Sequence, residues 1–255
     1  MSRRSTAVAF GVLSFAVIFA VWELAVRAGW LNPFFTSQPS AIAAALVRSG
    51  RTGELWQSVR ITLAEFAAGF GAAIVIGFSV GVLAGRSRLI AYALDPFIWF
   101  IYSAPLIAFY PLFVLWLGLG TRTVVAIAFL LSVTPIVVNT SSGIRQINPT
   151  LILAARSFGA TSRDLLWKVV LPASVPMIVA GLRLAVGRAL TGVVIAELFV
   201  PSGGIGSSIA YNAGLLRTTN MLAALMVIVV LGVICTQGLS AIETRFDTWR
   251  TGPGI

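Results

Sequence analysis

Six stretches of 17 to 29 residues carry almost no charge: 7–26, 61–84, 96–117, 124–140, 172–200 and 221–242. Each is close to the roughly 20 apolar residues a helix needs to cross a hydrocarbon core about 30 Å thick. In lipid every backbone N–H and C=O must be satisfied within the protein, so a spanning chain is either a helix bundle or a closed barrel. Barrel strands alternate apolar and polar residues, and these runs do not. The chain is therefore read as an all-α integral membrane protein with six transmembrane helices, forming one domain over 1–255 with no separate soluble module. Composition excludes the soluble alternatives. The chain is 58% hydrophobic and 10% charged. Eight acids and eighteen bases cannot coat a soluble globule of this size.

The net charge of +10 would suggest nucleic acid on a soluble protein. Here the bases sit between the apolar runs, where membrane topology accounts for them, and no nucleic-acid partner is expected. Six spans put both termini on one side. That side collects ten bases against six on the other, which places both termini in the cytoplasm. Arg3 and Arg4 precede the first run as they would in a signal peptide. That run is longer than a signal core and lacks a small-x-small cleavage site, so it is expected to be retained. Glu23 and Arg27, four apart, are expected to pair.

Local features qualify the spans. Pro96, Pro105 and Pro111 in the third and Pro135 in the fourth predict kinks or breaks. Residues 39–48 predict a short helix on the outer surface, with Ile42, Ala45 and Leu46 on its apolar side. Gly77, Gly81 and Gly85 form a flat stripe that another helix can approach closely. Gly203, Gly204 and Gly206, after Pro201-Ser202, predict a tight turn with positive φ. Cys235, the one cysteine, reads as a small core residue.

The chain has no histidine, which removes the commonest metal ligand and general base; no metal site and no catalysis are expected. Glu65, Arg183, Arg188 and Glu197 are the candidates for functional ionisable residues within the spans. They read as nearer the span ends than the midplane, so snorkelling of their heads to the interface accounts for them at least as well. The uncharged polar residues Tyr102, Ser103, Ser132, Thr134, Asn139 and Thr140 are candidates to line a translocation pathway. Tyr102 and Ser103 precede a break at Pro105 that can turn carbonyls toward a cavity. Ordinary interhelical hydrogen bonding is the other reading of each.

The loop 143–171 is the longest and most charged on the terminal side. Asn148 can cap a helix that Pro149 opens, and Gly159 stops it. Thr161 or Ser162 starts a second helix with Asp164 in its first turn, where the helix dipole favours an acid. Leu165, Leu166 and Trp167 give that helix an apolar face, and Pro172 marks entry to the fifth span. Two short helices joined by glycine make a knob that either meets a partner or lies on lipid.

This loop resembles the signature of the permease subunits of binding-protein-dependent ABC importers. Ala154-Ala155, Gly159, Val169, Leu171 and Pro172 fall at the signature's spacings, and Leu153 stands where the family carries Glu. Leu94-Asp95-Pro96, the run from Pro111 to Gly120, Gly181-Leu182-Arg183, Ala196-Glu197 and Gly204-Ile205-Gly206 resemble blocks of the nitrate, sulfonate and taurine branch. The resemblance implies a bacterial cytoplasmic (inner) membrane protein that passes a small solute of the sulfonate, taurine, nitrate, bicarbonate or vitamin-precursor class. It implies a loop that docks as a coupling helix on an ATPase through Ala154, Ala155, Gly159, Ala160, Ser162, Arg163, Asp164, Leu165 and Pro172. It further implies a second permease copy, in a homodimer, a dimer of cytoplasmic ABC ATPases, and a periplasmic or lipid-anchored binding protein. The chain has no Gly-x4-Gly-Lys-Ser/Thr phosphate loop, so ATP and Mg would be bound by the ATPase and no cofactor by this chain. An ATP-independent secondary transporter or channel is the competing class.

Overall fold

The computed structural model describes residues 2–246, with the side chains of 2–9, 12 and 239–246 outside the description. Every regular element among the described residues is helical. In chain order they are α1 (Ser2–Arg27), α2 (Pro33–Thr36), α3 (Pro39–Thr52), α4 (Glu54–Arg86), α5 (Arg88–Ser103), a 3₁₀ turn (Leu106–Phe109), α6 (Tyr110–Leu117) and α7 (Thr121–Arg145). There follow α8 (Pro149–Ser157), α9 (Ser162–Asp164), a π-helical stretch (Leu165–Val170), α10 (Leu171–Phe199), α11 (Ile205–Gly214) and α12 (Thr218–Phe246).

Among the described residues, four continuous helices are long and apolar enough to cross a bilayer: Glu54–Arg86, Thr121–Arg145, Ser162–Phe199 and Thr218–Gly238. The third predicted span, 96–117, is not one helix. It starts eight residues early, at Arg88, and breaks after Ser103, and its two parts are bent by 86°. Pro105 is the cause, because it cannot donate the next helical hydrogen bond. In the fourth span Pro135 does not break α7, which runs unbroken from Thr121 to Arg145. The predicted first span lies within α1; its residues 7–9 and 12, like the end of the sixth span and the extreme termini, fall outside the described side chains.

The core is α7 held between α4 and α10, and small residues permit the approach. A Cβ added to Gly69, Gly77, Gly81 or Gly85 would stand 2.8, 3.0, 2.6 or 2.8 Å from the Cβ of Ala128, Ile136, Thr140 or Ile144. Each contact joins residue i of α4 to residue i+59 of α7, so the two helices run parallel. The other face of α7 runs antiparallel to α10: Gly192 meets Ala128, Gly181 meets Asn139, and Gly143 meets Met177. Close backbone contact is what binds helices where both faces are apolar. A parallel α4–α7 pair also has a topological consequence. The chain from Arg86 to Thr121 must return the whole length of the bundle, and the bent α5–α6 segment makes that return.

At the end of the bundle where α4 begins, α3 lays Ile42 and Ala45 against Ala223, Leu222, Met226 and Trp22. Its apolar side thus packs on protein rather than on lipid, and it extends past the predicted limit to Thr52. Glu23 pairs with Arg27 at 2.8 Å and also accepts the Ser40 hydroxyl and N–H at the start of α3. Elsewhere Phe15, Ile18, Leu24, Val75, Trp99 and Phe100 are exposed, an apolar exterior suited to lipid or to another apolar chain.

Candidate functional site

At the other end of the bundle, α7 hands over to the loop. Arg145 donates to the Ala84 carbonyl at 2.9 Å, tying the ends of α7 and α4 together. Asn148 caps α8 through the Thr150 N–H at 2.9 Å. After α8 the chain turns at Gly159, whose φ is +79°. Thr161 then starts the next helix with a capping box, in which its hydroxyl accepts the Asp164 N–H and Asp164 accepts the Thr161 N–H. Lys168 lies 2.6 Å from Asp164. Two turns ahead of Pro172 and outside the apolar segment, the Asp164 carboxyl is held down to about 2 by the Lys168 ammonium first and then by the Thr161 hydroxyl and N–H.

The second helix does not stop at Pro172. It passes through the π-helical stretch into α10, giving one helix from Ser162 to Phe199. The expected separate knob is therefore one short helix, α8, folded against the root of a long one. Ile144, Ile147 and Val170 form the contact, with Ile152, Leu165, Leu166 and Val82 around them. Ala155, Ala160, Asp164 and Leu165 are half-buried, whereas Ala154, Gly159, Ser162, Arg163 and Pro172 are exposed. Leu153 and Trp167 are exposed too, and Phe158 is 92% exposed.

The pathway candidates divide. Ser132 is buried and donates to the Ala128 carbonyl of its own helix at 2.7 Å. Thr140 is buried against Gly81, and Asn139 packs on Gly181 while donating to the Pro135 carbonyl at 2.8 Å. Ser103 is exposed at the end of α5. Tyr102 and Thr134 come together at the α5 break, where they line a cavity of 180 Å³ with Arg188, whose guanidinium carbon sits 4.7 Å from the centre of the Tyr102 ring. Arg188 lies 16 residues into the predicted span 172–200 and 12 from its end. Its reading as an end-of-span residue is thus corrected.

The acids are corrected as well. Glu65 on α4 is 0% exposed and Glu197 on α10 is 1% exposed, so neither snorkels. Thr62 donates to Glu197 Oε1 at 2.7 Å and accepts the Ile205 N–H at 2.9 Å. The Gly206 N–H donates to Glu197 Oε2 at 2.6 Å. The two acids lie at the junction of α4, α10 and the turn 201–206. In that turn only Gly203, at +87°, has positive φ. Gly204 and Gly206 are glycine because a Cβ on either would run into Glu197. An acid followed seven and nine residues later by Gly-x-Gly was the available signal.

The model of the family described as "Binding-protein-dependent transport system inner membrane component" matches residues 73–246. The chain is 29% identical to the taurine transport system permease protein TauC of Escherichia coli (strain K12), over 98% of this chain and 92% of that one. It is 33% identical to the nitrate import permease protein NrtB of Synechococcus elongatus, over 65% of this chain and 60% of that one. Its fold matches a chain of the inward-facing MetNI methionine ABC transporter with a TM-score of 0.67 at 23% identity, over 77% of this chain and 98% of that one.

Proposed function

The chain belongs to the inner membrane components of binding-protein-dependent transport systems, and on that premise we propose that it imports a small solute bearing an oxyanion group, driven by ATP hydrolysed on separate subunits. It is the permease subunit of an ABC importer. Six helical crossings, counting the bent α5–α6 segment as one, put both termini on the cytoplasmic side with the loop 143–171. Two copies form the pathway. A dimer of ABC ATPases, which binds the ATP and Mg, receives one loop from each copy. A substrate-binding protein delivers solute at the opposite end, where Glu197 is buried.

The observation that carries this reading is the build of the loop. One side is packed through Ile147, Leu165, Leu166 and Val170, and the other presents Leu153, Phe158 and Trp167. Force applied to Trp167 reaches α10 without a hinge, because the helix is continuous from Ser162 to Phe199; Phe158, ahead of the Gly159 turn, acts through the packing of α8 on Leu165 and Leu166. The class of solute follows from the taurine and nitrate permeases that this chain resembles.

The test uses Phe158→Cys in a Cys235→Ala background. The new thiol is expected to crosslink to the ATPase in membranes and to resist impermeant reagents applied outside intact cells. Labelling from outside overturns the orientation, and labelling from inside without any crosslink overturns the docking.

A further inference from the structure

We propose that the cavity at the α5 break is an oxyanion-binding site within the permease itself, where Arg188 holds the anionic group of the solute in transit. This rests on the reading of the chain as a solute pathway and assigns a selecting step to a residue of that pathway.

The walls of the cavity are mostly apolar, from Pro105, Leu106 and Leu131, and its polar groups are Tyr102, Thr134 and Arg188. Its 180 Å³ is far more than one water requires. An arginine keeps its charge in any protein environment, and a cation set deep in an apolar span demands a partner. The ion pairs among the described residues are Glu23–Arg27 and Asp164–Lys168, and Arg188 is in neither. The guanidinium carbon stands 4.7 Å over the centre of the Tyr102 ring, a favourable cation–π contact. The guanidinium N–H groups form a fork that matches two oxygens of a sulfonate or nitrate group. Trp99 meets Tyr102 edge-on at 5.9 Å and fixes the ring that orients the fork. Thr134, buried on α7, supplies a hydroxyl to a third oxygen. The three polar groups come from α5, α7 and α10, so any shift of α10 against α7 alters the site. A site of this kind holds the anion in one arrangement of the helices and releases it in another.

The test is direct binding to the assembled permease–ATPase complex in nanodiscs, without binding protein, using ethanesulfonate, nitrate and ethylammonium as probes. Saturable binding of the two anions and none of ethylammonium is expected. Arg188→Gln should weaken anion binding at least tenfold, and Arg188→Lys and Thr134→Val about threefold each. A wild-type complex that binds neither anion, or an Arg188→Gln complex that binds them as wild type does, overturns the site. If Arg188→Gln does not assemble, the shape-preserving Thr134→Val decides, and unchanged affinity there overturns the site. Arg188-dependent binding in a complex that shows no ATP-driven uptake rejects the importer reading and leaves the site standing.

Discussion

The hydroxyl of Thr62 donates to Oε1 of Glu197, 135 residues further along the chain, at 2.7 Å. The same oxygen of Thr62 accepts the Ile205 N–H at 2.9 Å. One small side chain on α4 thereby fixes both the end of α10 and the turn after it. Both residues are fully buried, so these groups have no water to fall back on.

Thr62→Val keeps the shape and removes both bonds. It leaves the Ile205 N–H unpaired and Glu197 short of a donor, at a cost of about 1–3 kcal/mol. The unfolding temperature of the purified protein should fall clearly, while Thr62→Ser should stay near wild type. Equal melting of Thr62→Val and wild type would show that the cluster contributes nothing.

Gly81 has no room for a side chain, since its Cβ would stand 2.6 Å from that of Thr140. Gly81→Val forces α4 from α7 and should cost about 1–3 kcal/mol or more. Gly71 has nothing within 4 Å of an added Cβ. Gly71→Ala should therefore give a wild-type yield of monodisperse protein by size exclusion, and Gly81→Val a much lower one.

Gly159 differs, because its added Cβ meets nothing while its φ is +79°. Gly159→Val is penalised only through backbone strain, about 1–3 kcal/mol, confined to the loop. Membrane abundance should stay near normal while ATPase co-purification and uptake fall strongly. Gly159→Asn, which tolerates positive φ, should retain most of both. Wild-type behaviour of the valine variant would make the loop a passive surface.

Asp164 sets a pH limit on the same loop. Its carboxyl is held down to about 2, from an ordinary 3.8, by Lys168 and Thr161. A depressed carboxyl stabilises the fold above its unfolded value and loses that contribution as pH falls through the folded one. Protection of the 161–165 amides, taken against the intrinsic exchange rate at each pH, should be independent of this group between pH 5 and 8 and should fall from about pH 4 toward 2. Asp164→Asn should show the lowered protection already at neutral pH.

Features that repeat along one helix were legible in the sequence. Gly77, Gly81 and Gly85 announced a close helix contact because their spacing keeps them on one face, and the structure extends that row to Ala73 and Gly69. The caps at Asn148 and Thr161 were legible because capping is local. Features that depend on which helices meet were not. Glu65 and Glu197 looked like separate interfacial acids until α4 and α10 brought them to one junction. Arg188 and Tyr102 belong to different helices, and only the break at Pro105 brings their side chains together. The proline was visible in the sequence, but an 86° bend depends on what the freed segment packs against, here α7 and Phe199, which stacks on Tyr110 at 4.8 Å.

ATP-driven uptake of labelled taurine and of nitrate into proteoliposomes tests the central claim most directly. The assay compares this chain alone with this chain plus its ATPase and binding protein. Accumulation that needs all three proteins and ATP, with none by the chain alone under a proton or sodium gradient, is the predicted result. Gradient-driven accumulation by the chain alone, or no ATP-dependent accumulation by the complete set, would contradict the account.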